Sequence, residues 1–356
     1  MRRKILLATI ILSAVLMNIR SSFAQDIHFT QTTMIPLVLN PALTGTEGDQ
    51  RAFLNYKNQW RGLSANGAAF NTAFFSVDGA FMKKRWERAH VGVGITGFKD
   101  VAGDLKMGTT QINLSLAGVV HINANNTLSG GLQGGYVQKS VSVAAMQWES
   151  QYNPSIGGFD PNILSNDVSA LPPTRYGDFS LGLAWGYASE ASSLGANDQL
   201  RANFGFSAQN VNTPKQNYTD ITNDQLYAKF VVHGNALIGV PQSDLAIVPS
   251  MAYFIQGPSS QLNVGTMIRM TIKEKSKYTG VYKGTAVSFG AHYRLKDAIA
   301  PMVLLEHSNY SFGLSYDVNV SGLTAATRGK GGIEISLKYV NPNPFHSAPR
   351  LLDDED

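Results

Sequence analysis

Seven histidines, three well-placed serines and two glycine pairs are the residues that could do chemistry in this chain. His28, His90, His121, His233, His292, His307 and His346 are scattered, with no i, i+4 pair or other spacing that would converge on a metal. A serine nucleophile needs a base and oxyanion donors beside it. Ser207, Ser288 and Ser315 are candidates by position alone, and no G-x-S-x-G elbow surrounds them. Gly130-Gly131 and Gly134-Gly135 resemble a phosphate loop, but no Lys-Ser/Thr follows a glycine at the required spacing. They read instead as places where a long strand bends. The expectation is no catalytic set, no metal site and no cofactor.

The elements that carry these residues alternate with period two. Phe179, Leu181, Leu183, Trp185 and Tyr187 interleave with Ser180, Gly182, Ala184 and Gly186. Tyr310, Phe312, Leu314 and Tyr316 interleave with Ser311, Gly313, Ser315 and Asp317, and Ile333, Ile335, Leu337 and Tyr339 with Glu334, Ser336 and Lys338. Side chains of a strand point to opposite faces, so each segment has one apolar and one polar face. A soluble sandwich would bury the apolar face; a membrane barrel would turn it to lipid and line its lumen with the polar one.

Three features favour the barrel. Most segments are about ten residues or longer, the length of a tilted membrane-crossing strand. Aromatics such as Tyr187, Tyr253, Phe254, Tyr293, Tyr310 and Tyr339 fall at segment ends, where aromatic girdles lie. Beyond the first residues there is no apolar run long enough for a spanning helix. The fold expected is therefore all-β, a transmembrane antiparallel outer-membrane β-barrel of about 14 strands. They are placed near 51–60, 68–80, 90–99, 107–122, 127–147, 177–188, 199–210, 226–240, 245–256, 261–273, 286–295, 298–307, 310–317 and 331–340. Within such a barrel, His233 and His292 read as polar lumen residues.

Composition is consistent with this. Charged residues make up only 15% of the 356, glycines number 34 and cysteine is absent. Met1–Lys4, the apolar Ile5–Leu16 and the small-residue site Ser22–Ala24 read as a signal peptide over 1–24. No cysteine follows for lipid attachment. The leader holds four of the 29 basic residues (Arg2, Arg3, Lys4, Arg20) and no acid, leaving 25 basic against 25 acidic residues. A chain with no basic excess gives no reason to expect nucleic acid as a partner.

With periplasmic termini, odd-numbered connections face outward and should be the longer ones. The long connections at 148–176, 211–225 and 318–330 are odd; the tight turns at 123–126, 241–244 and 308–309 are even. Connections 81–89 and 274–285 are longer than this pattern expects. The domain reading is a leader (1–24), a periplasmic N-terminal segment (25–50), the barrel (51–340) and a periplasmic tail (341–356) ending in acidic Asp353–Asp356.

The lead-in "DIHFTQTTMIPLVLNPALTGTEGDQRAFLNYKNQW" is polar and turn-rich. Asn40-Pro41 starts a turn, since proline fixes φ and asparagine bonds its own backbone. Ile35, Leu37 and Leu39 need shelter from water, so the segment is expected in the barrel mouth, as a plug or cap, or against a partner. Asp26, His28, Phe29, Gln31, Pro36, Leu39, Asn40-Pro41-Ala42, Gly45, Arg51, Tyr56, Gln59 and Trp60 resemble the N-terminal signature of the PorP/SprF family of Bacteroidetes outer-membrane proteins. "YDVNVSGLTAATRGKGGIEISLKY" resembles that family's last two strands, while "NPNPFHSAPRLLDDED" continues past the family's usual end. The resemblance implies a barrel of the type IX secretion system, linked in some members to gliding motility. It implies as partners a secreted cargo or adhesin, held through its C-terminal signal domain, and a periplasmic cell-wall-binding lipoprotein.

Loop 148–176 carries Trp148, Tyr152, Pro154, Phe159, Pro161 and Leu164, an apolar surface suited to a protein partner or to folding inward as a plug. The residues expected to meet partners are Phe29, Gln31, Asn40, Pro41, Trp60, Trp148, Tyr152 and Phe159, with Trp60 most simply an interfacial anchor. The turn "KKRWER" at 83–88 is either a solvated turn or a contact for anionic lipid, lipoprotein or peptidoglycan. The reading is a non-enzymatic scaffold embedded in outer-membrane lipid. A diffusion porin is the alternative, and an integral-membrane enzyme the third.

Overall fold

The structure, a computed structural model, describes residues 29–341 apart from 61–69, 84–85, 87, 104, 143–145, 166–171, 190–196, 198, 217–224, 274–283 and 323. The leader and residues 342–356 of the tail therefore lie outside the described residues. The fold is a closed antiparallel barrel of fourteen strands. In chain order these are β1 (Gln50–Gln59), β2 (Phe70–Phe81), β3 (Ala89–Ala102), β4 (Met107–His121), β5 (Asn126–Ser140), β6 (Thr174–Ser189) and β7 (Leu200–Gln209). The second half comprises β8 (Lys229–Gly239), β9 (Leu245–Gln256), β10 (Ser259–Lys273), β11 (Thr285–Arg294), β12 (Ala298–His307), β13 (Tyr310–Asn319) and β14 (Lys330–Asn341). Each strand pairs with its sequence neighbours, and β14 closes on β1 from Gln50↔Asn341 to Gln59↔Gly332.

Alternation sets the two faces. Phe179, Leu181, Leu183 and Trp185 are exposed on the outside of β6, while Asp178, Ser180 and Ala184 are buried inside. Closure leaves no strand with an unpaired edge, which a lipid environment requires. Aromatics gather where β13 begins and β14 ends, with the Tyr310 and Tyr339 rings 5.1 Å apart. Phe254 departs from the expected girdle: it turns inward and packs with Leu39, Val231 and Ala252.

Most strand limits agree with the alternation to within three residues. The fifth is the exception: expected to reach 147, it stops at Ser140, which pairs with Gly108 near the start of β4. Beyond that point the neighbouring strand has ended, and the ladder gives way to a single bond from Ser142 N–H to the Leu105 carbonyl (3.1 Å) among the described residues. The tight turns also fall less neatly than expected, since 257–258 and 295–297 are short connections after odd strands.

The N-terminal segment lies within the barrel. Of the N-terminal segment assigned to 25–50, residues 29–45 fold inside the lumen. There the chain makes a 3-10 turn (Thr32–Met34), a short helix (Pro36–Leu39) and a second 3-10 turn (Pro41–Leu43). Compact turns satisfy part of the backbone locally, and lumen side chains supply much of the rest.

Candidate functional site

The site is the occupied lumen, where the segment is held at three places. At its inner end, Glu334 accepts from the backbone N–H groups of Thr30 (2.8 Å) and Gln31 (3.0 Å), and also from Asn55 Nδ2 (2.9 Å). Asp317 accepts from Thr30 Oγ1 (2.8 Å) and pairs with Lys57 Nζ and Arg294 Nη2, each at 2.9 Å. Arg294 Nη1 also donates to Thr30 Oγ1 (3.1 Å), and Lys57 lies 3.8 Å from Glu334. The Gln31 amide donates to Ser315 Oγ and to the Glu334 carbonyl, both 3.0 Å, and Ser336 Oγ donates to Gln31 Oε1. All four charged side chains are buried. Two cations facing two carboxylates, with hydrogen bonds on the remaining lone pairs, is an arrangement in which buried charge persists.

At the middle, Asn40 Nδ2 donates to the carbonyls of Leu183 (2.9 Å) and Phe206 (3.2 Å) and lies 3.1 Å from His233 Nε2. Its Oδ1 accepts from Ala42 N–H at 2.8 Å and so caps the following turn. Ser207 Oγ donates to the Leu39 carbonyl at 2.5 Å. Glycines make this approach possible. A methyl group at Gly182 would stand 1.9 Å from Asn40 Oδ1, and one at Gly131 2.4 Å from the Pro41 carbonyl carbon.

At the exit toward β1, Arg51 grips Asp78 through Nε (3.0 and 3.1 Å) and Nη2 (2.6 Å). Nη2 also donates to the Leu43 carbonyl (2.6 Å), and Gly45 N–H donates to Asp78 Oδ2 (2.6 Å). His90 Nε2 lies 2.9 Å from the Gly45 carbonyl. Outside, Lys338 meets Glu47 at 2.9 Å, and Lys83 of the basic turn pairs with Asp49.

These contacts account for four of the residues expected to meet partners. Phe29, Gln31, Asn40 and Pro41 are buried against the wall of their own barrel, so a partner could reach them only if the segment left the lumen. Phe29 packs with Ile35, Phe53 and Phe74. Trp60 is half-buried at the far end of β1, stacked edge-on against Phe70 at 4.9 Å. His292 faces inward, 3.0 Å from Ser250 Oγ. The three serines stand on separate strands; Ser207 and Ser315 bond the lumen segment.

The 141–173 loop lies at the opposite end of the barrel from Gln50 and Asn341. Tyr152–Asn153 pairs with Gly158–Phe159 in a small ladder. Asn153 Nδ2 donates to Asp160 (2.9 Å), as does Asn162 N–H (3.0 Å), and these bonds hold the Asp160 carboxyl below its ordinary pKa. The ladder presents Tyr152 (55% exposed), Ile156 (64%) and Phe159 (37%), with Leu164 beside it at 89%. Trp148 is half-buried, and its N–H donates to Gln151 Oε1 at 3.2 Å.

The family described as type IX secretion system membrane protein PorP/SprF matches residues 21–339. The chain belongs to this family. With a lipid-facing apolar wall around a closed barrel, it is an integral outer-membrane protein of that secretion system. No curated protein matches it. Among solved structures it is similar to the toluene transporter TbuX of Ralstonia pickettii, at 10% identity over 86% of this chain and 92% of that one, TM-score 0.44. It is also similar to the TodX deltaS2S3 mutant monoaromatic hydrocarbon channel, at 10% identity over 86% and 94%, TM-score 0.45. BamA of Haemophilus ducreyi lacking POTRA domains 1–3 aligns at 10% identity over 82% and 70%, TM-score 0.40.

Proposed function

We propose that this PorP/SprF barrel is a non-enzymatic scaffold that holds a secreted type IX cargo or adhesin through its C-terminal signal domain. In this reading both termini are periplasmic and loop 141–173 is extracellular. Trp148, Tyr152 and Phe159 then contribute to the cargo contact, and a cell-wall-binding lipoprotein docks on the periplasmic side. The observation that carries the proposal over a diffusion porin is the lumen: a segment of the chain's own backbone occupies it, locked by buried ion pairs and hydrogen bonds. A porin needs a continuous water path. An enzyme would need its serines grouped with a base, whereas Ser207 and Ser315 are engaged with the segment.

The test is affinity purification of the full barrel from its native outer membrane in mild detergent, with mass spectrometry of bound chains and planar-bilayer recordings of the same preparation. A stoichiometric secreted protein or periplasmic lipoprotein, together with electrical silence, is the expected result. A solitary barrel with steady, large-conductance openings would overturn the reading in favour of a porin.

A further inference from the structure

The wall has a local break between β12 and β13. Ile299 pairs with Val318 and Met302 with Ser315, while the intervening Ala300 and Pro301 pair with β11 but have no partner on β13. Pro301 has no N–H to donate, which is why proline is rare inside paired strands. On the other side of β13 the register with β14 shifts between Tyr316 and Val318. The two irregularities meet at Asp317, whose side chain is turned inward to Lys57 and Arg294. Ion pairs from the lumen side thus hold a stretch of wall that lacks part of its ladder.

A recess of about 340 Å³ opens on the outside at the same place. Phe289, Pro301, Val303, Leu314, Tyr316 and Ile333 line it, all of them apolar or aromatic and all on the outward face of their strands. The other side chain with a polar group is Ser315, which faces the lumen and accepts from Gln31 there. The recess is continuous with the lipid-facing band, so its surroundings are acyl chains. It offers little to a lipid headgroup or to a protein's peptide groups, which would lose hydrogen bonds on entering.

We propose that this recess is a binding site for a single acyl chain of an outer-membrane lipid, seated against the interrupted β12–β13 ladder. The proposal rests on the barrel being membrane-embedded and is independent of whether it holds cargo. The experiment uses the full barrel in proteoliposomes containing phosphatidylethanolamine with a diazirine at the end of one acyl chain. Photolabelled residues are then mapped by mass spectrometry. Labelling at Val303, Leu314 and Tyr316 is expected at least fivefold above that at Leu132 and Leu183, which are more exposed on another part of the wall. Val303→Trp, which fills the recess, should bring the labelling down to wall level and leave Leu132 unchanged. Leu314→Trp is the second filling variant should the first not assemble. Labelling in proportion to exposure, or enrichment that survives filling, would overturn the proposal. So would a recess shielded from the probe by a co-purified protein.

Discussion

The inner end and the middle of the lumen segment are held by different physics. At Thr30–Gln31 the barrel offers charge: two carboxylates on β13 and β14, neutralised by Lys57 of β1 and Arg294 of β11. At Asn40–Ala42 it offers shape, with glycines at 131, 182 and 205 leaving room for a turn whose one polar side chain reaches three groups. Paired charges couple four wall strands to each other and to the segment, so removing one member unbalances the rest. A steric seat couples only the surfaces that touch. The difference separates what binds the wall together from what positions the segment within it.

The largest effect should come from the charged end. Asp317→Ala removes the carboxylate that answers both Lys57 and Arg294 and, among the described residues, leaves Lys57 only Glu334, and Arg294 only the partly exposed Asp297, as ion-pair partners. Breaking a buried pair by deleting one partner costs about 3–5 kcal/mol. Unfolding in urea, followed by heat-modifiable mobility of the barrel in lipid, measures this. A loss below about 1 kcal/mol, the scale of exposed ion pairs, would mean that water screens the cluster and that the inner end and the middle do not differ in kind.

The steric seat at the middle can be tested with adjacent residues. A methyl at Gly131 would collide with the Pro41 carbonyl carbon, whereas one at Gly130 meets nothing nearer than Leu183 Cδ2 at 3.5 Å on the outer face. Gly131→Ala is therefore expected to cost about 1–3 kcal/mol by overpacking and to displace the segment enough to raise bilayer conductance. Gly130→Ala should leave stability within about 0.5 kcal/mol and the barrel silent. Equal behaviour of the two would show that the glycines serve strand bending rather than the seat.

How far the sequence reveals this depends on the range of the interaction. The wall is legible because alternation is local: Phe179 to Trp185 and Phe312 to Tyr316 declare their faces without knowledge of any neighbour. The end of β5 is not, since a strand lasts only as long as its partner and Ser140 stops where β4 begins. The shelter required by Ile35, Leu37 and Leu39 is visible, and the barrel mouth is among the places expected for it, but the wall residues that seat them are not. The signal that could have placed them is the set of charges at inward-facing positions, Lys57, Arg294, Asp317 and Glu334, which a lumen filled only with water would not need to pair so tightly. The Gly130-Gly131 pair reads as a bend because the approach of Pro41 to Gly131 spans a large sequence separation. Trp148, Tyr152 and Phe159 are legible as loop aromatics, and the ladder that presents two of them is only two residues long on each side.

Among substitutions at the segment's contacts, the smallest effect is expected at Asn40 itself. Asn40→Ala removes hydrogen bonds to the Leu183 and Phe206 carbonyls, the contact with His233 and the cap on Ala42 N–H. Leu183 and Phe206 already face each other as partners in the β6–β7 ladder, so the amide adds to backbone that is largely satisfied. The glycine seat is unchanged, and the shorter side chain creates no collision. The expected cost is about 1 kcal/mol, the net worth of a typical hydrogen bond with a lost cap, with the barrel still closed. Urea midpoints beside those of Asp317→Ala place the middle and the charged end on one scale. A cost of 3 kcal/mol or more with open conductance would make Asn40 the principal latch, and the segment would then be held by its middle rather than by its charged end.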